Sequence, residues 1–229
     1  MKLLSIDASG KTAACAVTED GEVIAKSFTD SGLTHSQTLL PMIESMLSLS
    51  GTDIEDIDEF ALTVGPGSFT GLRIGAATVM GLAGKRPCRS VPTLTAIAYN
   101  FTDKNAVIIP ALDARRSQVY TAVFRANDGK VAQLCEDEAL SVDEVFDRIR
   151  EYSQNEPVII AGDGAYLFEN AVAVLGNVSF AEDKLLFVQG EGIAKAAMEF
   201  SAVKAQDIKL NYLRLSQAER ELKERTKND

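Results

Sequence analysis

The sequence predicts an α/β protein built from two copies of one lobe, each a mixed sheet in the order βββαβαβα, followed by a C-terminal helix. Three observations carry that expectation. Short apolar runs give way to helical spacing twice, in the same order. An aspartate ends the first strand of each half, Ile6-Asp7-Ala8 matching Leu112-Asp113-Ala114. A glycine turn follows the fourth strand of each, Gly65-Pro66-Gly67 matching Gly162-Asp163-Gly164. The hairpin turns correspond as well, Asp20-Gly21-Glu22-Val23 with Asp128-Gly129-Lys130-Val131. A hairpin ahead of crossover units makes each sheet mixed.

The elements follow in order. "KLLSID" is an apolar strand ending at Asp7, and "TAACAVT" pairs through the Asp20-Gly21 turn with "EVIAKSF". Thr34 with Gln37 three residues on has the form of a capping box, and apolar residues then recur at helical spacing. Pro41 lies inside that helix and should bend it, because proline cannot donate the backbone hydrogen bond. "IDEFALTV" is the fourth strand, "SFTGLRIGAATVMGLAG" the second helix, "CRSV" a short strand and "TLTAIAYNF" a third helix. The second half opens with "NAVIIPALD", then "SQVYTAVFRA" paired with "KVAQLCEDE". Ser141 and Glu144 form another capping box, and "PVIIAGDG" is a strand running into its glycine turn. "AYLFENAVAVLG" reads as a helix, "NVSFA" as a strand and "GIAKAAMEFSAV" as the closing helix. The expected cut lies at "FTDKN", giving lobes 1–102 and 103–229, with a tail helix capped by Ser216 and Glu219.

Composition narrows the function classes. At 229 residues, 46% hydrophobic and 24% charged, the chain can bury a core in each lobe. No run approaches the ~18 apolar residues that span a bilayer, and Asp7 interrupts the apolar start before a signal peptide would be complete. Cys15, Cys88 and Cys135 are widely spaced and odd in number, which points to a reduced, cytoplasmic protein with no membrane association. A net charge of −10 argues against a general nucleic-acid binder, since phosphates are gripped by clustered Lys and Arg. "GKRPCR" is the one small basic cluster, so any RNA contact would come through a partner.

Candidate chemistry is sparse. Imidazole is the commonest ligand of catalytic metals, and His35 is the single histidine. "GPGSFTG" lacks the G-x-S-x-G spacing of a nucleophile elbow, and Ser68 is better placed as a helix N-cap. No catalytic or metal-binding residue is therefore assigned. Asp7 and Lys11 in "DASGKTAA", with Asp113 at the equivalent turn, are candidates to face a nucleotide's phosphates. P-loop spacing is absent, and Arg115 and Arg116 replace the small residues in the second copy. The strongest local pattern is Gly67, Gly71, Gly75 and Thr78, a stripe of small side chains along one helix. Phe69, Leu72, Arg73 and Met80 extend onto the adjoining faces. With Leu39, Met42 and Met46 turned outward from the first helix and His35 at its start, the two helices offer more apolar surface than one core uses. They predict a four-helix contact with an equivalent pair, whether on a partner or on a second copy when the partner is absent.

Two such lobes, each with an aspartate ending its first strand, resemble the actin, sugar-kinase and Hsp70 superfamily, whose lobes are RNase H-like (actin-like ATPase) units. Within it, "GPGSFTGLRIG", "THSQTLLPMIESML" and "NYLRLSQAERE" are similar to the TsaB (YeaZ) family, and the likeness spans residues 1 to about 225. The resemblance implies a non-catalytic subunit in making threonylcarbamoyladenosine beside the anticodon of tRNAs reading codons that begin with A. It implies a TsaD-like catalytic paralogue and a TsaE-like P-loop ATPase as partners, with tRNA met indirectly. The paralogue keeps a metal-binding histidine pair where this chain has His35 alone. ATP and magnesium enter, on this view, at the level of the complex. The rival expectation is a free-standing superfamily ATPase or small-molecule kinase resting on Asp7 and Asp113; a protease ranks third.

Overall fold

The computed structural model describes residues 1–214; the expected tail helix capped by Ser216 and Glu219 lies outside them. The first sheet contains β1 (Lys2–Asp7), β2 (Ala13–Glu19), β3 (Glu22–Thr29), β4 (Glu59–Thr63) and β5 (Pro87–Val91), with α1 (His35–Ser50), α2 (Phe69–Ala83) and α3 (Thr93–Ala98) between or after them. The second half runs β6 (Ala106–Asp113), β7 (Gln118–Thr121), β8 (Phe124–Asn127), β9 (Lys130–Gln133), β10 (Glu138–Ser141), α4 (Val142–Ser153), β11 (Val158–Ala161), α5 (Glu169–Val172) and β12 (Val178–Phe180). Then come α6 (Gly190–Ala197) and β13 (Ala202–Lys204).

Both lobes have the expected mixed sheets. β1 runs parallel to β4 and antiparallel to β2, while β6 runs parallel to β11 and antiparallel to β7 and β8. Both Asp-Gly hairpins turn with positive φ at each residue, 50° and 89° at Asp20 and Gly21, 49° and 77° at Asp128 and Gly129. That is the type I′ geometry whose twist suits a two-residue hairpin.

The alternation of β1 and β6 sets the layers. Leu4 and Ile6 face one apolar cluster with Leu39, Ile43, Ala76 and Val79 of α1 and α2. Leu3 faces another, shared with Ile97, Phe101, Ile108, Leu112 and Ile193, which lies between the sheets around α3 and α6. Val107 and Ile109 turn to the far side of the second sheet, against Val145 and Ile149 of α4. Strands buried on both faces read as near-continuous apolar runs.

Several elements differ from expectation. The second and third strands of the second lobe are each broken, β7 from β8 at Ala122-Val123 and β9 from β10 at Leu134–Asp137. Leu134 donates its N–H to the Val123 carbonyl (2.7 Å) at the break. Residues 165–168 form a 3₁₀ turn and only Glu169–Val172 is α-helical, in place of the long helix expected there. Thr34 makes no side-chain cap; its hydroxyl donates to the Gln37 side chain instead (2.9 Å), so that capping box is not formed. Ser141 and Glu144 do form theirs. α1 continues through Pro41.

The largest difference is where the chain goes after residue 189. The segment expected to be one closing helix splits into α6 and β13, and both belong with the first sheet. α6 packs on β1 and β2, and the Ser5 hydroxyl donates to the Gly190 carbonyl (2.6 Å). β13 pairs antiparallel with β5 and becomes the edge of the first sheet. Arg89 on β5 fixes the connection, pairing with Glu59 (2.6 Å) and donating to the Phe200 carbonyl (2.8 Å).

Candidate functional site

Two regions compete as the site, the outer face of α1 and α2 and the cavity between the lobes. Both are organised by the loop after β1. Ser68 caps α2, its hydroxyl accepting from the Gly71 N–H (3.2 Å) as the sequence indicated. The Ser68 N–H in turn donates to the Ser9 carbonyl (2.6 Å). Gly71 lies so close to this loop that a Cβ there would sit 2.0 Å from the Ala8 carbonyl oxygen. His35 Nε2 lies 2.8 Å from the Gly10 carbonyl, which can only accept, so Nε2 carries the proton. The glycine stripe thus answers to the protein's own first loop, and His35 is occupied in holding it.

The expected outward residues of α1 are in part the wrong ones. Leu39 and Met46 are buried with Ile43 and Leu47, whereas Leu40 is 41% exposed and Met42 half-buried. The spacing 39, 43, 46, 47 is the better helical stripe, and each one-residue error in phase turns a side chain about 100°. On α2, Gly71, Leu72 and Gly75 are buried, while Arg73 is exposed and Met80 is 42% exposed. The face left uncovered is therefore narrower than expected and nearly uncharged: Glu44 is the acidic residue of α1, and Arg73 the basic residue of α2.

Phe69 is half-buried under an element that the helix pattern did not reveal. Tyr212 stacks on it with ring centroids 3.9 Å apart and planes 14° from parallel. The Arg73 guanidinium lies 4.5 Å from the Phe69 ring centre and 5.9 Å from that of Tyr212, and its Nε donates to the Tyr212 hydroxyl (3.3 Å). The "NYLR" motif was legible as a segment; its aromatic contact across some 140 residues was not.

The cavity has a volume of about 480 Å³ and takes its walls from both lobes, Ser9 to Lys11 on one side and Asp113, Arg115 and Asp163 on the other. Tyr212 and Arg214 line it too. Asp7 lies beneath the loop rather than in this space. Its Oδ1 accepts from the Ser9 N–H (3.0 Å), the Ser9 hydroxyl (2.6 Å) and the Thr63 hydroxyl (2.5 Å), while Oδ2 has no hydrogen-bond partner. Burial pushes the Asp7 carboxyl above its ordinary value, against the opposing pull of those hydrogen bonds. Asp113 is turned toward its own backbone, accepting from the Arg115 N–H (2.6 Å) and pairing with the Arg115 guanidinium at 3.4 Å. Asp163, which the sequence pattern marked only as a glycine-turn residue, accepts from the Asp113 N–H (2.9 Å), and burial raises its carboxyl as well. Lys11 reaches outward to Asp30 (3.2 Å).

The space between Asp7, Lys11 and Asp163 is about 10 Å³, room for about one water molecule. Asp7 lines this small space and Asp113 the larger cavity, so the two carboxylates do not share one space. Among the described residues, no group of three or more His, Cys, Asp or Glu side chains could hold a metal ion, and no helix is long and apolar enough to cross a membrane.

Comparison with known proteins follows the chain as a whole. The family model described as "TsaD: tRNA N6-adenosine threonylcarbamoyltransferase" matches residues 29–225. The tRNA threonylcarbamoyladenosine biosynthesis protein TsaB of Bacillus subtilis is 29% identical over 96% of both chains. Its namesake from Escherichia coli is 35% identical over 67% of this chain and 68% of its own. The solved structure of YeaZ from Pseudomonas aeruginosa superposes with a TM-score of 0.77 at 23% identity, over 93% of this chain and 99% of that one.

Proposed function

The chain belongs to the TsaB family, and from that premise we propose that it serves in tRNA threonylcarbamoyladenosine biosynthesis as a non-catalytic scaffold. Its partner in this reading is a TsaD-like catalytic paralogue, docked on the outer face of α1 and α2. A TsaE-like ATPase joins the same assembly, and tRNA is met through the complex. The work is cytoplasmic, in keeping with three free cysteines. The names of the relatives favour this role over a free-standing ATPase or kinase.

The observation that carries the docking face is its chemistry. Leu40 and Met80 stand exposed on adjacent helices whose outward positions are otherwise mostly Ser, Thr, Ala and Gly, with few charges to desolvate. Interface centres are depleted of charge in this way. Nucleotide is met at the level of the complex rather than on Asp7, which this lobe arrangement keeps covered.

The test measures threonylcarbamoyl transfer to tRNA by this chain alone, by a TsaD-like subunit alone and by the two mixed, with co-elution on size exclusion. Transfer that requires the mixture, and a shared elution peak, are expected. Substantial transfer by this chain alone would remove the scaffold reading. Separate elution with and without ATP and magnesium would remove the docking face. A homodimer formed by the isolated chain through the same helices should give way when the partner is added.

A further inference from the structure

The segment after β13 crosses the cavity from one lobe to the other, and its contacts form a continuous series. Ala205 and Ile208 are buried in the cluster beneath α2, with Leu210 packed against it. The Asn211 N–H donates to the Val64 carbonyl (2.7 Å), and the Asn211 carbonyl presses so closely on Gly65 that a Cβ there would lie 2.2 Å away. The backbone is thus clamped to the first lobe at the end of β4. Tyr212 then stacks on Phe69 and bonds to Arg73. Two residues later Arg214 has reached the second lobe, donating through Nη1 to the Ala114 carbonyl (2.9 Å) and through Nη2 to the Gln118 side chain. Its guanidinium also lies 5.8 Å from the Tyr120 ring.

The turn that receives Arg214 is unusual. Arg115, Arg116 and Ser117 have φ values of 65°, 55° and 55°, three successive residues in the left-handed region that side chains disfavour. The turn is closed by the Ala114 N–H on the Gln118 carbonyl (2.9 Å) and the Gln118 N–H on the Arg115 carbonyl (3.2 Å). Arg214 grips this turn at both ends, at Ala114 and at Gln118, and its flat, multidentate guanidinium is suited to that double hold.

We infer that residues 208–214 are a strap that holds the two lobes at a fixed closure, with Tyr212 its fastening on the first lobe and Arg214 its fastening on the second. The polypeptide itself joins the sheets through residues 92–105 and 181–201, and an apolar layer packs between them; the strap adds a side-chain connection along the cavity wall. It links the first turn of α2 to the second-lobe turn, so a change at either is felt at the other. No partner or bound nucleotide is needed for it.

The test is amide hydrogen exchange on the full chain, read at Ala114 and Gln118 in the second-lobe turn and in β1 as an internal reference. Arg214→Ala should speed exchange at both turn amides by about tenfold, the scale set by losing hydrogen bonds from a charged donor. Arg214→Lys, the milder change, should do so to a smaller degree, since an ammonium cannot make the paired contact. Tyr212→Ala is the decisive variant, because Tyr212 stacks on the first lobe while the readout is on the second. Faster exchange at Ala114 and Gln118 in Tyr212→Ala, with β1 unchanged, supports the strap. An effect of Arg214→Ala without one of Tyr212→Ala would reduce Arg214 to a local clip and overturn it. Unchanged exchange in both, or equal acceleration through β1, would overturn it too.

Discussion

The outer helices of the two lobes are equivalent in the duplication and opposite in chemistry. α4 carries Asp143, Glu144, Asp147, Arg148, Arg150 and Glu151 in 12 residues, and its solvent side is laced with ion pairs: Arg148 to Glu138 (3.0 Å) and Glu151 (3.4 Å), Arg150 to Asp147 (3.4 Å). α1 spans 16 residues with Glu44 as its acidic side chain, and α2 spans 15 with Arg73 as its basic one. Among the described residues, neither helix takes part in an ion pair. Burial inside each lobe accounts for the inner faces of all three. It does not account for the outer difference, since water would favour charge on α1 and α2 as readily as on α4. One fold carries a charged outer wall on one lobe and a nearly uncharged one on the other, the wall proposed above for docking.

Four experiments bear on that comparison, in falling order of effect. Gly71→Leu places atoms where the Ala8 carbonyl already is, so it should cost about 3 kcal/mol of stability, read as a lower urea midpoint. A wild-type midpoint would mean that the stripe is free and the small face faces outward after all. Paired Leu40→Asp and Met80→Asp substitutions should leave that midpoint within about 0.5 kcal/mol. They should nevertheless weaken association with a TsaD-like subunit about a hundredfold, measured by calorimetry. The matching change on α4, Arg150→Asp, should leave association untouched; equal weakening there would erase the distinction between the two walls.

The helix starts also differ. Ser141→Ala removes a formed cap and should cost about 1 kcal/mol, whereas Thr34→Ala, which removes none, should cost about 0.5 kcal/mol or less. Equal losses in thermal melts would show that α1 uses a cap as α4 does. Smallest of all, Asp147→Ala breaks an ion pair whose side chains are 69% and 78% exposed, and the midpoint should not measurably move.

Much of this architecture was written in local pattern. The strand ends at Asp7 and Asp113, the type I′ hairpins and the Ser68 and Ser141 caps depend on neighbours a few residues away, and each is found as expected. Thr34 shows how weak the same signal becomes when another polar side chain competes for the hydroxyl. The misplaced faces of Leu39 and Leu40 were a matter of helical phase, which a short apolar run fixes poorly. Composition gave no hint of the long-range joins. Nothing near Ala202 announces pairing with Arg89, and nothing near Tyr212 announces Phe69. Asp163 escaped notice for the same reason, since its bond to the Asp113 backbone exists only once two strands are side by side.

The return of α6 and β13 to the first sheet has a bearing on biosynthesis. A ribosome delivers β1 to β5 early, yet Leu3 and Ser5 face a layer whose helix has not been made until residue 197 has been translated. Until then that side of the nascent sheet has α3 but lacks α6, and the edge at β5 is open. The half of the molecule synthesised first is therefore the half completed last, and an elongation pause within the second lobe would lengthen the time its unfinished neighbour stays exposed to chaperones or to aggregation.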